Sequence, residues 1–201
     1  MTVLEREVER ESTTTEVEGK TYSLAEFEAI LAQPENSNRL LELINGEMIE
    51  KMPTQQHGLT ASNVNFAFAA YAREHKNGRP GVEVRHQAIG DDQNSRLPDV
   101  SFTCANVPIV EQGSVANMPD VAVEIKSPDD TIKKMRESAE YYLANGSRLV
   151  WLIYPNYRLV EVYRPDADVE ILDEGQTLFG YDVLPGFELA VADVFADPFT
   201  E

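Results

Sequence analysis

The chain has 201 residues, 42% hydrophobic and 26% charged, with 35 acidic against 17 basic side chains and a formal net charge of −18. That length buries one core of ordinary proportions, and the apolar share excludes a disordered acidic tail or chaperone. No run approaches eighteen apolar residues, the single Cys104 excludes an intramolecular disulfide framework or a zinc ribbon, and the charged start has no apolar leader core, so a soluble cytoplasmic protein is expected.

Residues 1–19 alternate Glu with Val, Thr and Ser and carry no helical stripe. They read as a flexible acidic tail ahead of a single domain over residues 20–201. Ser23 opens a helix, with Glu26 completing a capping box and Leu24, Phe27, Ile30 and Leu31 as the apolar stripe. RLLELINGEMIEKM reads as a hairpin, because Asn45-Gly46 tolerates the positive φ values of a type I′ turn. Pro53 to Gly58 reads as a loop carrying His57, and Leu59 to His75 as a helix. GVEVRHQAI alternates as one strand, and RLPDVSFTC and MPDVAVEIK read as the next two. A helix capped by Ser127 with Pro128 at its first position follows, stopped by Asn145-Gly146. SRLVWLIYP is apolar throughout, as a central strand should be, and YRLVEVYRP is its neighbour. The last forty residues mix short strands and turns. This order predicts an α/β fold with a mixed β-sheet core flanked by helices, preceded by an N-terminal helix and β-hairpin. No glycine-rich phosphate loop is present; Gly78-x-x-Gly81 is only a turn.

The acidity is unevenly placed. Residues 1–50 carry −8, residues 51–100 carry +1, residues 101–150 carry −2 and residues 151–201 carry −9. A site for a polyanion is therefore expected in the middle hundred residues, since affinity for a phosphate backbone rests on its neutralisation.

The chemistry concentrates in the central strands. Alternate strand residues share a face, so Asp120, Ala122, Glu124 and Lys126 oppose Val121, Val123 and Ile125. On the preceding strand Asp99, Ser101 and Thr103 oppose Val100 and Phe102. If the two strands are neighbours, Asp99 and Glu124 converge. Converging carboxylates suit a hard cation such as Mg²⁺, which can polarise a phosphoryl group and lower the pKa of bound water. Lys126 would then orient that water or stabilise charge on phosphate oxygens. The bland alternative is a Glu124–Lys126 surface ion pair worth little. His86 reads as a surface residue and Lys133, Lys134 and Arg136 as a solvated helix face. Tyr141 and Tyr142 read as packing, and Cys104 as a buried small hydrophobe.

In order, LLELINGEM, MPTQQHG, RLPDVSF, MPDVAVEIKSP, KKMRESAEYYLANG, LVWLIYP and VLPGFEL resemble the PD-(D/E)xK nuclease superfamily. The closer resemblance is to its branch of bacterial restriction endonucleases formerly of unknown function, and it covers about residues 20–195. The resemblance implies a Mg²⁺- or Mn²⁺-dependent endonuclease acting on nucleic acid, DNA foremost. It implies Asp99 and Glu124 as metal ligands, Lys126 as the catalytic lysine, Glu42 as a further metal ligand, and His57 as an accessory metal or phosphate contact. Gln87, on the neighbouring strand, is a further candidate to line the cleft. Many relatives have an uncharged residue where this chain has Lys126. A homodimer is implied by resemblance only. The competing expectation is a catalytically silent protein of the same fold that binds a partner or dimerises; a phosphoesterase for small phosphate compounds is a third.

Overall fold

The computed structural model describes residues 3–11, 20–104 and 108–199, without the side chains of residues 9–11. Helix α1 (Val3–Glu11) comes first, then α2 (Leu24–Leu31), β1 (Leu41–Ile44), β2 (Glu47–Glu50) and the long α3 (Gln55–His75). Strands β3 (Arg79–Val82), β4 (His86–Gln87), β5 (Val100–Thr103), β6 (Val115–Ala116) and β7 (Val121–Ile125) lead to α4 (Ile132–Ala144). The chain ends with β8 (Leu149–Tyr154), β9 (Leu159–Tyr163), β10 (Glu170–Asp173), β11 (Thr177–Phe179), β12 (Glu188–Ala190) and the short α5 (Val191–Val194).

A six-stranded sheet in the order β10-β9-β8-β7-β5-β3 organises these elements. β7 and β8 are parallel and every other neighbouring pair is antiparallel, so the sheet is mixed. Pro80 lies on β3, an edge strand, where a residue without an N–H costs no ladder bond. The period of two sorts the side chains. Val121, Val123 and Ile125 join Phe68, Tyr71, Trp151 and Phe187 in one buried layer under α3. Ala122 joins Val150, Leu152, Met135 and Tyr142 in the layer under α4. A third small cluster of Phe27, Leu41 and Leu43 seats α2 on the β1–β2 hairpin.

The local signals at α2 and the hairpin act as expected. Ser23 and Glu26 form a reciprocal capping box. Asn45 and Gly46 take φ of 51° and 82°, the left-handed pair a two-residue hairpin loop requires.

Five expectations are corrected. Val3–Glu11 is helical where residues 1–19 read as tail, and Leu4 is wholly buried against the α4 layer; residues 12–19 lie outside the described residues. One anchoring leucine leaves no stripe to read. Leu4→Ala should remove roughly 2 kcal/mol of docking free energy. Amide exchange over residues 3–11 should then quicken while that of β7 and β8 stays unchanged; equal protection in both proteins would refute the docking. GVEVRHQAI is not one strand, because Glu83 adopts φ 51° and separates β3 from β4. β4 pairs instead with β6, and His86 is buried rather than on the surface. α3 starts four residues early, at Gln55, because Thr54 rather than the loop end supplies the cap. α4 starts late: Thr131 is its cap, and the Ser127 N–H spends its bond to Asp130 (2.8 Å) on a tight turn.

Candidate active site

The β5–β7 pairing places Val100 opposite Val123, so Asp99 and Glu124 are the next antiparallel pair at the sheet's rim. Asp99 is buried and Glu124 half-buried, and both accept from one ammonium. Lys51 Nζ donates to Asp99 Oδ1 at 2.8 Å and to Glu124 Oε2 at 2.9 Å. Its third contact is the Leu97 carbonyl oxygen at 2.9 Å. Lys51 follows β2 directly, and its N–H reaches back to the Leu40 carbonyl, so the hairpin aims it.

The other oxygen of each carboxylate also has a partner. Asp99 Oδ2 accepts from the Ile125 N–H at 2.7 Å and lies 3.0 Å from His57 Nε2. His57 comes from the first turn of α3, where the Thr54 cap holds its backbone N–H. Glu124 Oε1 accepts from the Tyr142 hydroxyl of α4 at 2.7 Å. Glu42, from β1, is buried and accepts from the Leu97 N–H at 2.5 Å. Beside Asp99 and His57 opens a cleft of 550 Å³, walled by the N-terminal half of α3 and by Val82 and Glu83.

Burial opposes every charge here, and the neighbours decide the outcome. For Lys51, burial pulls the ammonium down, but Asp99, Glu124 and Glu42 outweigh it and hold it well above its usual range. Burial pushes Asp99 up, and Lys51 with His57 more than reverses this, leaving it below the ordinary carboxylate range. Glu124 is pushed up to about 8, first by burial and then by Asp99 and Glu42, against the pull of Lys51 and Tyr142. Three acids thus act on the one ammonium that contacts two of them, and of the two in contact Glu124 is the one pushed up.

A pH prediction follows for the metal-free protein. The folded state keeps a Glu124 proton that the unfolded chain has lost above about 4.5, so this contribution to stability is complete at low pH and is lost as pH rises from 4.5 through about 8. Asp99 acts oppositely: its contribution is present above its ordinary 3.8 and is lost only as pH falls below that. Calorimetric melting temperature should therefore decline between about pH 5 and 8, and Glu124→Gln should flatten the decline. An unchanged slope in the variant would refute the assignment.

Of the residues singled out in the sequence, Asp99, Glu124 and His57 meet at this site, and Glu42 is close enough for its charge to act on Glu124 and Lys51. Lys126 points elsewhere: its ammonium donates to the Ser127 and Asp130 carbonyl oxygens, at 3.4 and 2.5 Å. Its backbone stays on the β7 ladder, but the turn after it offers nearer acceptors than the rim does. Gln87 is half-buried, its amide 3.3 Å from the Asp91 carbonyl. Lys51 and Tyr142 are the site residues that sequence reading missed. Tyr142 packs in the α4 layer as its spacing predicts, and nothing in that spacing distinguishes a stripe tyrosine that also bonds a carboxylate. Arg136, expected on a solvated face, pairs instead with buried Glu161 (2.5 Å), which also accepts from the Tyr154 and Tyr163 hydroxyls.

The donor set fits a divalent cation. It is all oxygen, buried, and more negative than the ammonium in contact with it can neutralise. Among the described residues, no three His, Cys, Asp or Glu side chains already close at metal-ligand spacing.

Among solved structures, the chain resembles one described as a "putative nuclease belonging to DUF820 from Anabaena variabilis ATCC 29413". The two are 27% identical over 86% of this chain and 97% of that one, with a TM-score of 0.72. A DrdV–DNA complex matches at 16% identity over 58% of this chain and 80% of that one; its TM-score of 0.32 is too low to support an argument. No curated protein matches. No helix among the described residues is long and apolar enough to cross a membrane. The Uma2 family, described as "Putative restriction endonuclease", matches residues 24–192, and the match takes in α2, the hairpin, the whole sheet and every residue of the site. This chain is therefore a member of the Uma2 family, with the mixed restriction-endonuclease-like sheet that its structure displays.

Proposed function

We propose that the protein is a divalent-metal-dependent endonuclease, with Mg²⁺ or Mn²⁺ as the ion and DNA as the substrate. The observation that carries this reading is the meeting of Asp99 and Glu124, from adjacent strands, on one cation, with Asp99 also lining an open cleft. Family membership supports the same reading.

Asp99 and Glu124 would hold the ion, with Glu42 adding charge behind them. When bound, the ion supplies Lewis-acid stabilisation of the phosphate and a water of lowered pKa. The chain's own residues do the rest. The Ile125 N–H and His57 orient Asp99, and Tyr142 orients Glu124, so both carboxylates are held before any ion arrives. The first turn of α3 presents backbone N–H groups and the positive end of a 21-residue helix to the cleft, a suitable seat for a phosphate. Lys126, released from its loop carbonyls, would reach the same face as Glu124 and contact phosphate oxygens or the attacking water. Gln87 would contribute at most a peripheral contact from the neighbouring β4–β6 ladder. The near-neutral middle of the chain is compatible with salt-sensitive DNA binding. A homodimer and a cytoplasmic location complete the proposal.

Supercoiled plasmid should be nicked by the wild-type protein with Mn²⁺ or Mg²⁺ and left intact with chelator. Asp99→Asn should be inactive under both conditions. The second reading, a silent fold member, draws on Lys51, which satisfies both carboxylates without any metal. It would be established by intact plasmid in every metal together with tight protein–protein association.

A further inference from the structure

We propose that Lys51 is a resident counter-ion: its ammonium occupies the cation position between Asp99 and Glu124, and a divalent ion enters only by displacing it. The inference rests on the metal reading above and adds the residue that controls access to the site.

The geometry is that of a filled cation site. A lysine ammonium has three donors, and all three are used here: on the Leu97 carbonyl, on Asp99 Oδ1 and on Glu124 Oε2. All three distances lie between 2.8 and 2.9 Å. The set of acceptors, two carboxylates and a carbonyl, is the oxygen set a hard divalent ion takes, but such an ion sits closer, about 2.0–2.1 Å away for Mg²⁺. An ammonium and a divalent ion cannot share the position, since both need the same lone pairs and would repel at that distance.

Displacement is sterically open. The Lys51 side chain is 18% exposed, against 12% for Glu124 and 3% for Asp99, so of the three it keeps the most contact with solvent. Its neighbour Met52 is 71% exposed, and four flexible methylenes let the head swing out without moving the hairpin. The carboxylates cannot follow, because the Ile125 N–H, His57 and Tyr142 hold their other oxygens. Metal entry and exposure of Lys51 are therefore one event.

Two measurements on the full chain test this. Calorimetric titration with MnCl₂ compares wild type, Lys51→Met and Asp99→Asn. Lys51→Met should bind Mn²⁺ tighter by about tenfold or more, the least expected when two hydrogen bonds to carboxylates no longer have to be broken. Asp99→Asn should not bind. Equal affinity in wild type and Lys51→Met, with binding lost in Asp99→Asn, would overturn the displacement and leave the metal reading intact. No binding by either wild type or Lys51→Met would overturn both. Because Lys51→Met leaves two buried carboxylates without their cation and can fail to fold, the second measurement uses wild type alone. Acetylation of lysines by an amine-reactive reagent, read by mass spectrometry, is compared with and without saturating MgCl₂. Lys51 should be protected without the ion and acetylated about tenfold faster with it. The rate at Lys133, whose side chain is 68% exposed, should not change. Equal protection of Lys51 in both conditions would overturn the proposal.

Discussion

Glu124→Ala should lower metal-dependent plasmid nicking by about 10³-fold or more. The estimate comes from the several kcal/mol of charge stabilisation that a bound ion contributes to phosphoryl chemistry, lost when one of its two carboxylates is removed. The fold should survive, because Glu124 lies at the rim of β7 and the strand's ladder to β8 and its apolar face are unaffected. The change also strips the Tyr142 hydroxyl and Lys51 of a partner, so some loss of stability is expected, and a circular-dichroism melt belongs beside the assay. Lys126→Met provides the graded comparison. Its ammonium rests on loop carbonyls in the metal-free protein, so stability should hardly change while cleavage falls by about 10²-fold. Equal nicking by wild type and Glu124→Ala would remove this site from the chemistry altogether.

The largest loss of stability is expected at Trp151. It is fully buried on β8, near the centre of the sheet, with its ring centroid 5.3 Å from Phe68 and 5.9 Å from Phe187. It thus joins the sheet to α3 and to the C-terminal segment. Its indole N–H has no hydrogen-bond partner in the structure, so the cost of truncation is packing and cavity rather than a lost polar contact. Trp151→Ala should destabilise by roughly 3–5 kcal/mol. For a chain of this size that is a fall in melting temperature of about 6–20 °C. Trp151→Phe, which keeps a ring in the cluster, should cost clearly less. A Trp151→Ala loss under about 1 kcal/mol would mean that the layer repacks and that the cluster is not rigid.

Both predictions rest on features of different legibility. The period of two along VAVEI and VSF was enough to set Asp99 and Glu124 on the face opposite Val100, Phe102, Val121, Val123 and Ile125, all of which are core. That information is local, because strand geometry alternates faces whatever lies around it. The capping box at Ser23 and the Asn45-Gly46 turn were legible for the same reason.

Lys126 shows where local reading stops. The sequence places its Cα on the right strand, but a four-methylene side chain takes its head to the nearest acceptors, and those belong to a turn that the Ser127–Asp130 bond creates. Lys51 shows the converse. It lies 48 residues from Asp99 and 73 from Glu124, in no pattern with either, and joins them only because the β1–β2 hairpin folds across the end of β5 and β7. Leu4 and the buried His86 belong with it, since what buries each of them is a packed neighbour rather than any local periodicity.

The charge divides along the same line. The sequence by itself placed −17 of the −18 at the two ends and left the middle nearly neutral. Only the tertiary structure decided that the carboxylates of that middle converge on one another and that a lysine bridges them. Net charge is a sum over residues, whereas the field at a buried site depends on distance and on the water excluded from it.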